Sequence, residues 1–215
     1  MNVDLVCTDS THPVNTVIKD WIEQEESVHC FRLLDSKADL SGGDLLFLVS
    51  CHEFIGSDIR KLYRTTFVLH ASDLPNGRGW SPHIWTILNG SNEIVVTLLE
   101  ASDKIDSGDI WAQKRVIFQG HELYDEINEA IFAAELSLIK FAVHSYKEIK
   151  KHPQLDNQST YFRRRTPEDS CIDPKLTIAD QFELLRVADP NRYPAFFHFR
   201  GQRFFIKITK DQSNE

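Results

Sequence analysis

No apolar run in this chain approaches the ~20 residues needed to cross a bilayer, so a transmembrane helix is not expected. The first residues, Met1 to Cys7, lack the basic start and long apolar stretch of a secretory leader. Positive charge is in short supply: 24 Lys and Arg stand against 32 Asp and Glu, for a formal net charge of −8. Without a long basic stripe, non-specific nucleic-acid binding is excluded as a primary role. Cysteine is sparse and scattered. Cys7, Cys30, Cys51 and Cys171 form no CxxC pair and no dense framework, which predicts reduced thiols in a cytoplasmic protein. The nine histidines show no HxxxH-type pair and the acids no EF-hand spacing, so no metal is expected. No GxGxxG opens the first helix, and the Gly77-Arg78-Gly79 triplet does not replace it as a dinucleotide fingerprint. There is no internal repeat and no low-complexity tract.

What is present is an ordinary globular composition, 41% apolar and 26% charged over 215 residues. That length supports one domain with a short appendage and a full hydrophobic core. Val3 to Cys7, Val28 to Leu34, Leu45 to Val49 and Thr66 to Leu69 read as strands. The third is apolar throughout, as a strand covered on both faces requires. Thr11 and Pro13 offer a helix start, and Val14, Val17, Ile18, Trp21 and Ile22 follow helical spacing. Ile55 to Tyr63 reads as a short helix. The β-α-β-β-α-β order points to an α/β sheet with helices on both faces. A turn-rich loop from Ser72 to Gly79 follows, then a short helix over Pro82–Leu88. Glu93 to Glu100 and Ile110 to Phe118 read as two further strands. A long helix is predicted over His121–Lys151, with Leu123, Ile127, Ile131, Ala134, Leu138, Phe141 and Ile149 as its apolar stripe and Pro153 marking its end. Beyond it, a helix near Ile178–Val187 and a hairpin turning at Arg200-Gly201-Gln202 are expected, with Asp211 to Glu215 as a frayed end. The division this suggests is a main domain over 1–152 and a C-terminal extension over 153–215.

Ligands of open α/β sheets bind outside the carboxyl ends of strands. His70 ends the strand that starts at Thr66, and Asp106 lies in the loop between two later strands. Such a pair suits proton transfer, because the carboxylate orients the imidazole and favours its charged form. Taken singly, His70 also fits a structural hydrogen-bonding role, and Asp106-Ser107-Gly108-Asp109 also fits a hairpin turn.

Together these blocks carry a resemblance. His70-Ala71-Ser72-Asp73-Leu74-Pro75-Asn76-Gly77-Arg78-Gly79 is similar to the His-Pro-Ser-Leu-Leu-Pro-x-x-Arg-Gly stretch of folate-dependent formyltransferases. Lys104-Ile105-Asp106-Ser107-Gly108-Asp109-Ile110 resembles that family's Leu-Asp-Thr-Gly-Asp-Ile block, and Thr97-Leu98 falls where the family has Gly-Val-Thr. The resemblance covers residues 45–120 well and the flanks more loosely. It implies a Rossmann-like formyltransferase core and transfer of formyl from 10-formyltetrahydrofolate to a primary amine. The family's catalytic set is an Asn, a His two residues later, and an Asp. His70 and Asp106 match the last two, with His70 as proton acceptor or relay. Val68 stands at the Asn position and cannot bond a formyl oxygen. His52, Ser50, a backbone N–H or water are the candidate substitutes, and His52 is favoured because it follows the adjacent strand. By the same resemblance Phe54 and Ile55 wall the pterin slot, and backbone groups around Asp103 and Lys104 bond its edge. Core packing is the equal alternative for Phe54.

The tail selects among acceptors. Methionyl-tRNA enzymes of the family carry a separate C-terminal β domain and favour basic surface, neither of which fits here. Arg163-Arg164-Arg165-Thr166-Pro167-Glu168-Asp169 and Tyr193-Pro194-Ala195-Phe196 resemble segments of sugar N-formyltransferases. His70 to Trp85 resembles the enzymes acting on UDP-linked 4-amino-4,6-dideoxy sugars of the pseudaminic-acid branch, which favours UDP over dTDP. Arg78 and Arg163 to Arg165 are then candidates for the pyrophosphate, since guanidinium forks bind phosphate oxygens well; a solvated surface run is the alternative for the triple Arg. Of Trp80, His83 and Trp85, one is a candidate to stack on sugar or base and at least one is expected to pack in the core. The resemblance also implies a homodimer. Two other readings remain open: a degenerate protein that binds folate or a nucleotide sugar without turnover, and hydrolysis of 10-formyltetrahydrofolate.

Overall fold

The computed structural model describes residues 1–25, 28–155 and 159–211. Six strands form one sheet: β1 (Asn2–Val6), β2 (Cys30–Leu34), β3 (Gly43–Leu48), β4 (Tyr63–His70), β6 (Glu93–Glu100) and β7 (Ile110–Ile117). Their order is β2-β1-β3-β4-β6-β7. The first four run parallel, β6 runs antiparallel to β4, and β7 antiparallel to β6. This is a Rossmann-like α/β sheet. Leu45 to Leu48 are buried on both faces between β1 and β4, which accounts for their unbroken apolar run.

One face carries the main core. The helices α1 (Val14–Gln24), α3 (Pro82–Leu88) and α4 (Tyr124–Ser145) bury Ile18, Trp21, Ile87, Ile131 and Leu138 against Phe47, Phe67 and Leu98. Each such side chain contributes roughly 1.5–3 kcal/mol by leaving water. The other face carries a smaller cluster of Val6, Leu46, Leu48, Ile55 and Tyr63, covered in part by the one-turn helix α2 (Ser57–Arg60). A two-residue pair, β5 (Arg78–Gly79) with β8 (Tyr161–Phe162), joins the loop after β4 to the C-terminal segment. The chain then forms α5 (Phe182–Arg186) and the hairpin β9 (Ala195–Phe199) with β10 (Gln202–Ile206). Among the described residues, no helix is long and apolar enough to cross a membrane.

Several expectations need correction. The long helix is shorter than 121–151. Glu122 turns back to accept the N–H groups of Gln119 and Gly120, and Glu126 accepts from Leu123 N–H at the true start. At the other end Tyr146 leaves the helix to stack on Trp111 and meet Thr65, so Ile149 is not part of the stripe. Phe141 is 44% exposed, and Ala142 and Val143 are buried in its place. Thr11 does not cap α1: its hydroxyl donates to Asp9, and Pro13 is the capping residue. The short helix expected over Ile55–Tyr63 is limited to α2, because Tyr63 enters β4 and its hydroxyl donates to Asp4. The helix expected at 178–187 divides into a 3-10 turn, Ala179–Gln181, and α5. The end expected to fray lies, beyond Asp211, outside the described residues.

Candidate active site

His70 is the last residue of β4 and only 7% exposed. Its Nε2 lies 2.8 Å from the carbonyl oxygen of Gly77. A carbonyl only accepts, so Nε2 carries the hydrogen and Nδ1 is the open nitrogen. Nδ1 faces Asp106, 3.8 Å from Oδ1, too far for a direct hydrogen bond. Asp106 comes from the loop 101–109, which doubles back along β4: Ala101 N–H bonds Thr66, four residues before His70, yet Asp106 reaches His70 itself. Three features hold the carboxylate. Its Oδ2 accepts the Gly79 N–H at 2.9 Å, its main-chain oxygen accepts from Gln154 at 3.0 Å, and its backbone takes φ +52. Asp tolerates that left-handed conformation better than most residues. Behind the pair, Thr97 donates to Ser72 at 2.7 Å and accepts from Gln113, which fixes the loop after His70.

These groups open on a cavity of about 400 Å³, within the usual range for small-molecule sites. One side is apolar: Leu48, Ile55, Val68, Leu99 and Ala101. Val68 shares a face of β4 with His70, and its neighbours in register are Leu48 and Leu99. No adjacent strand position therefore supplies the missing polar group. The rest of the lining mixes the polar groups His12, His83, Asn128, Glu135, Asp189 and Arg192 with Ile84, Ile131, Phe132 and Val187. Burial, with Arg192 nearby, pushes His12 down to about 4. Burial, with His12, His70 and Arg165 nearby, pushes His83 down to about 3. Burial alone pushes Glu135 up to about 8. Asp189 accepts from Tyr124 and from the N–H groups of Asn191 and Arg192, and Arg192 in turn pairs with Asp9.

The cavity brings together His70, Asp106, His52, Phe54, Ile55, Trp80, His83, Arg164 and Arg165. The ring of His52 lies 5.1 Å from Trp80, and the Arg164 guanidinium sits 4.8 Å over the same indole. Burial holds His52 below its ordinary value, and Arg164 and Arg192 add to this against Asp9. Phe54 is exposed at the rim, whereas Ile55 is part of the wall. Arg165 donates to the Asp169 carbonyl and to Ser170, and its Nε is buried without a partner.

Four expected contacts are not placed at the cavity. Arg78 is fully buried, bonded to Gln154 at 2.7 Å and set over Tyr161. It braces the loop from inside and does not reach a pyrophosphate. Arg163 turns away to pair with Asp169 and lie over Trp85. Asp103 is exposed and paired with Arg60. The carbonyl of Lys104 is taken by the hydroxyls of Ser102 and Ser107, so Ser102 and Ile105 line the cavity instead. The sequence reading missed Gln154, Asn128, Glu135 and Arg192. Tyr124, Asn128 and Glu135 share one helical face beside the apolar stripe, a pattern that was open to detection.

A mixed α/β sheet thus carries a buried His–Asp pair beside a cavity lined by apolar and polar groups. The formyl transferase family matches residues 9–143. That is more than half of the chain, and the chain belongs to this family of formyl-transferring enzymes. Its fold is shared with a methionyl-tRNA formyltransferase from Clostridium thermocellum (21% identity, TM-score 0.83, covering 100% of this chain and 95% of that one). It is also similar to a sugar N-formyltransferase from a Shewanella species (16% identity, TM-score 0.71, 100% and 99% covered). A third similar structure is HypX from Aquifex aeolicus in complex with tetrahydrofolic acid, at 19% identity and TM-score 0.75. There the match spans 96% of this chain but 37% of the other.

Proposed function

We propose that the chain moves a formyl group from 10-formyltetrahydrofolate to the primary amine of a nucleotide-linked 4-amino-4,6-dideoxy sugar, with UDP as the favoured nucleotide. The observation that carries this reading is the cavity around His70 and Asp106, lined by apolar and polar groups. Its apolar group, Ile55 with Leu48, Val68 and Ala101, suits the flat pterin ring of a folate, and the tetrahydrofolic acid bound by HypX supports a folate as co-substrate. The folate supplies the activated formyl group. At the mouth, Arg164 lies over Trp80 and makes no ion pair among the described residues. An exposed guanidinium beside an indole suits a nucleotide, the cation meeting phosphate and the ring stacking on the base. The Shewanella enzyme supports a sugar acceptor.

The chemistry asks little of the protein. As the amine nitrogen bonds to the formyl carbon, it must lose a proton. His70 Nδ1 is the open acceptor for that proton, because Nε2 is committed to Gly77. Asp106 stabilises the imidazolium so formed by its charge, and the Gly77 carbonyl holds the ring in place. The proton then passes to the departing folate nitrogen. The oxyanion formed on the way finds no donor at Val68. His52 on the cavity wall and backbone N–H groups are the donors left to it. The test is mass analysis after incubation with 10-formyltetrahydrofolate and a panel of UDP- and dTDP-linked amino sugars. A gain of one formyl on a UDP-linked 4-amino sugar is expected. Folate release at the same rate without any acceptor would instead support hydrolysis, and folate binding without any product a degenerate site.

A further inference from the structure

The cavity lining holds two polar groups that the steps above do not use. Asn128 and Glu135 stand on one face of α4, seven residues apart, or about 10 Å along the axis. They are 8% and 7% exposed, and Asn128 Nδ2 and Glu135 Oε2 have no hydrogen-bond partner among the described residues. Buried polar groups nearly always have partners, so two such unpartnered side chains on the lining of one cavity point to a ligand. Other charged and titratable groups on the lining include His12, His70, His83, Arg165, Asp189 and Arg192, and none of them shifts Glu135, whose carboxyl is raised by burial alone. Five of these are engaged: His12 with Ser50, His70 with Gly77, Arg165 with Asp169 and Ser170, Asp189 with Tyr124, and Arg192 with Asp9. Glu135 is the acidic group left for something that enters.

Resting on the reading that the acceptor is an amine, we propose that Glu135 receives the acceptor's ammonium group at the α4 end of the cavity and takes its proton. Asn128, two turns toward the start of α4, is a donor for oxygen atoms farther along the acceptor. Burial keeps the empty Glu135 protonated at neutral pH. An arriving ammonium displaces that proton to solvent. The N–H bond then breaks and an O–H bond forms on Glu135, because two neutral groups cost less than two charges in a site with little water. Binding thus releases one proton overall and leaves the amine uncharged, as attack on the formyl carbon requires. The second amine proton, lost during attack, goes to His70.

The experiment is titration calorimetry of the intact chain at pH 7, in buffers of different ionisation enthalpy, with Glu135→Gln and Glu135→Asp beside the wild type. The probes are the UDP-linked 4-amino-4,6-dideoxy sugar and its 4-hydroxy counterpart. The wild type is expected to release about one proton per amine bound and none with the hydroxy sugar. The Gln variant matches the protonated acid in shape, so it should fold. It is expected to lose at least about tenfold in preference for the amine, with hydroxy-sugar affinity within about twofold. The Asp variant should recover part of the preference. An unchanged preference and proton count in the Gln variant overturns the proposal and makes Glu135 a buried structural acid. A wild type that formylates none of the offered amines removes the amine reading and this inference together. A wild type that does, beside an unchanged Gln variant, removes the inference alone.

Discussion

At the scale of single residues the reaction depends on which nitrogen of His70 is open. Gly77 takes Nε2–H and leaves Nδ1 toward Asp106, so a replacement must remove Nδ1 without emptying the site. His70→Asn should lower kcat by about 10²–10⁴-fold, the usual loss for a general acid–base group. It should cost only about 1 kcal/mol of stability, the worth of one hydrogen bond. Steady-state kinetics with a paired thermal melt checks both, and near-native turnover would falsify the proton-acceptor role. Val68→Asn makes the complementary case. It puts a donor on the His70 face of β4, where Leu48 and Leu99 flank the position. Restoring an oxyanion donor should raise kcat, by roughly tenfold and at most by the 10²–10³ that such donors supply elsewhere. A fall in kcat would mean that another group already holds the oxyanion and that Asn displaces it. His70 and Asp106 were legible in the sequence because each ends or interrupts a strand, and their surrounding blocks keep order and spacing. Arg78 was misread for a physical reason. A sequence shows a guanidinium in a loop, but not that Gln154, 76 residues on, draws it inside.

Elements matter here chiefly as clamps on two loops. The loop carrying Asp106 closes where Gly108 passes the end of β6. A Cβ on Gly108 would lie 1.8 Å from the carbonyl oxygen of Glu100, so even the smallest side chain forces the backbone apart. Gly108→Ala should lower stability by about 1–3 kcal/mol, as overpacking does. It should lower kcat more than KM for the acceptor, because Asp106 moves off His70. Differential scanning calorimetry and steady-state kinetics are the measurements, and an unchanged melt with unchanged kcat would show that the loop can close without that approach. The pairing of β5 with β8 is the second clamp. It ties Gly77, Arg78 and Trp80 to Thr160 and Phe162 through backbone and hydroxyl contacts, and so carries Arg164 and Arg165 to the cavity. The strands β1, β3, β6 and β7 and the final hairpin were readable from alternation, apolar runs and turn residues. The clamp was not. Two-residue strands have no period to detect, and their pairing joins positions some 80 residues apart, which only the closed fold reveals. The C-terminal limit of α4 was hidden for a similar reason: Tyr146 follows helical spacing in the sequence, but its ring is worth more against Trp111.

The molecule as a whole should show the cavity's charge balance in its stability against pH. His12 and His83 are held down to about 4 and about 3 in the fold, against an ordinary 6.5. Below pH 6.5 the unfolded chain therefore binds up to two protons that the fold refuses, and stability is lost as pH falls. One proton of difference is worth about 1.4 kcal/mol per pH unit. Glu135 works in the opposite sense. Its carboxyl is raised from 4.5 to about 8, so between those values the folded chain holds a proton that the unfolded chain has released, and stability is lost as pH rises. From pH 4.5 to 6.5 the two histidines outweigh the one acid. Net stability then climbs by about 1.4 kcal/mol per unit, more where His29 and His52, also held low, contribute. From pH 6.5 to 8 only the acid acts, and stability falls by about the same slope. The carboxylates held low by hydrogen bonds, such as Asp9 and Glu126, add their losses only in stronger acid. Stability should therefore peak near pH 6.5. Urea unfolding of the wild type and Glu135→Gln across pH 5–8 separates the two limbs. The Gln variant should lose the alkaline limb and show an acid limb about twice as steep, becoming the more stable protein at pH 8. An alkaline decline that survives the substitution would place its source outside the cavity. In that case the buried carboxyl would not be holding a proton in the empty site, and an arriving amine would have none to displace.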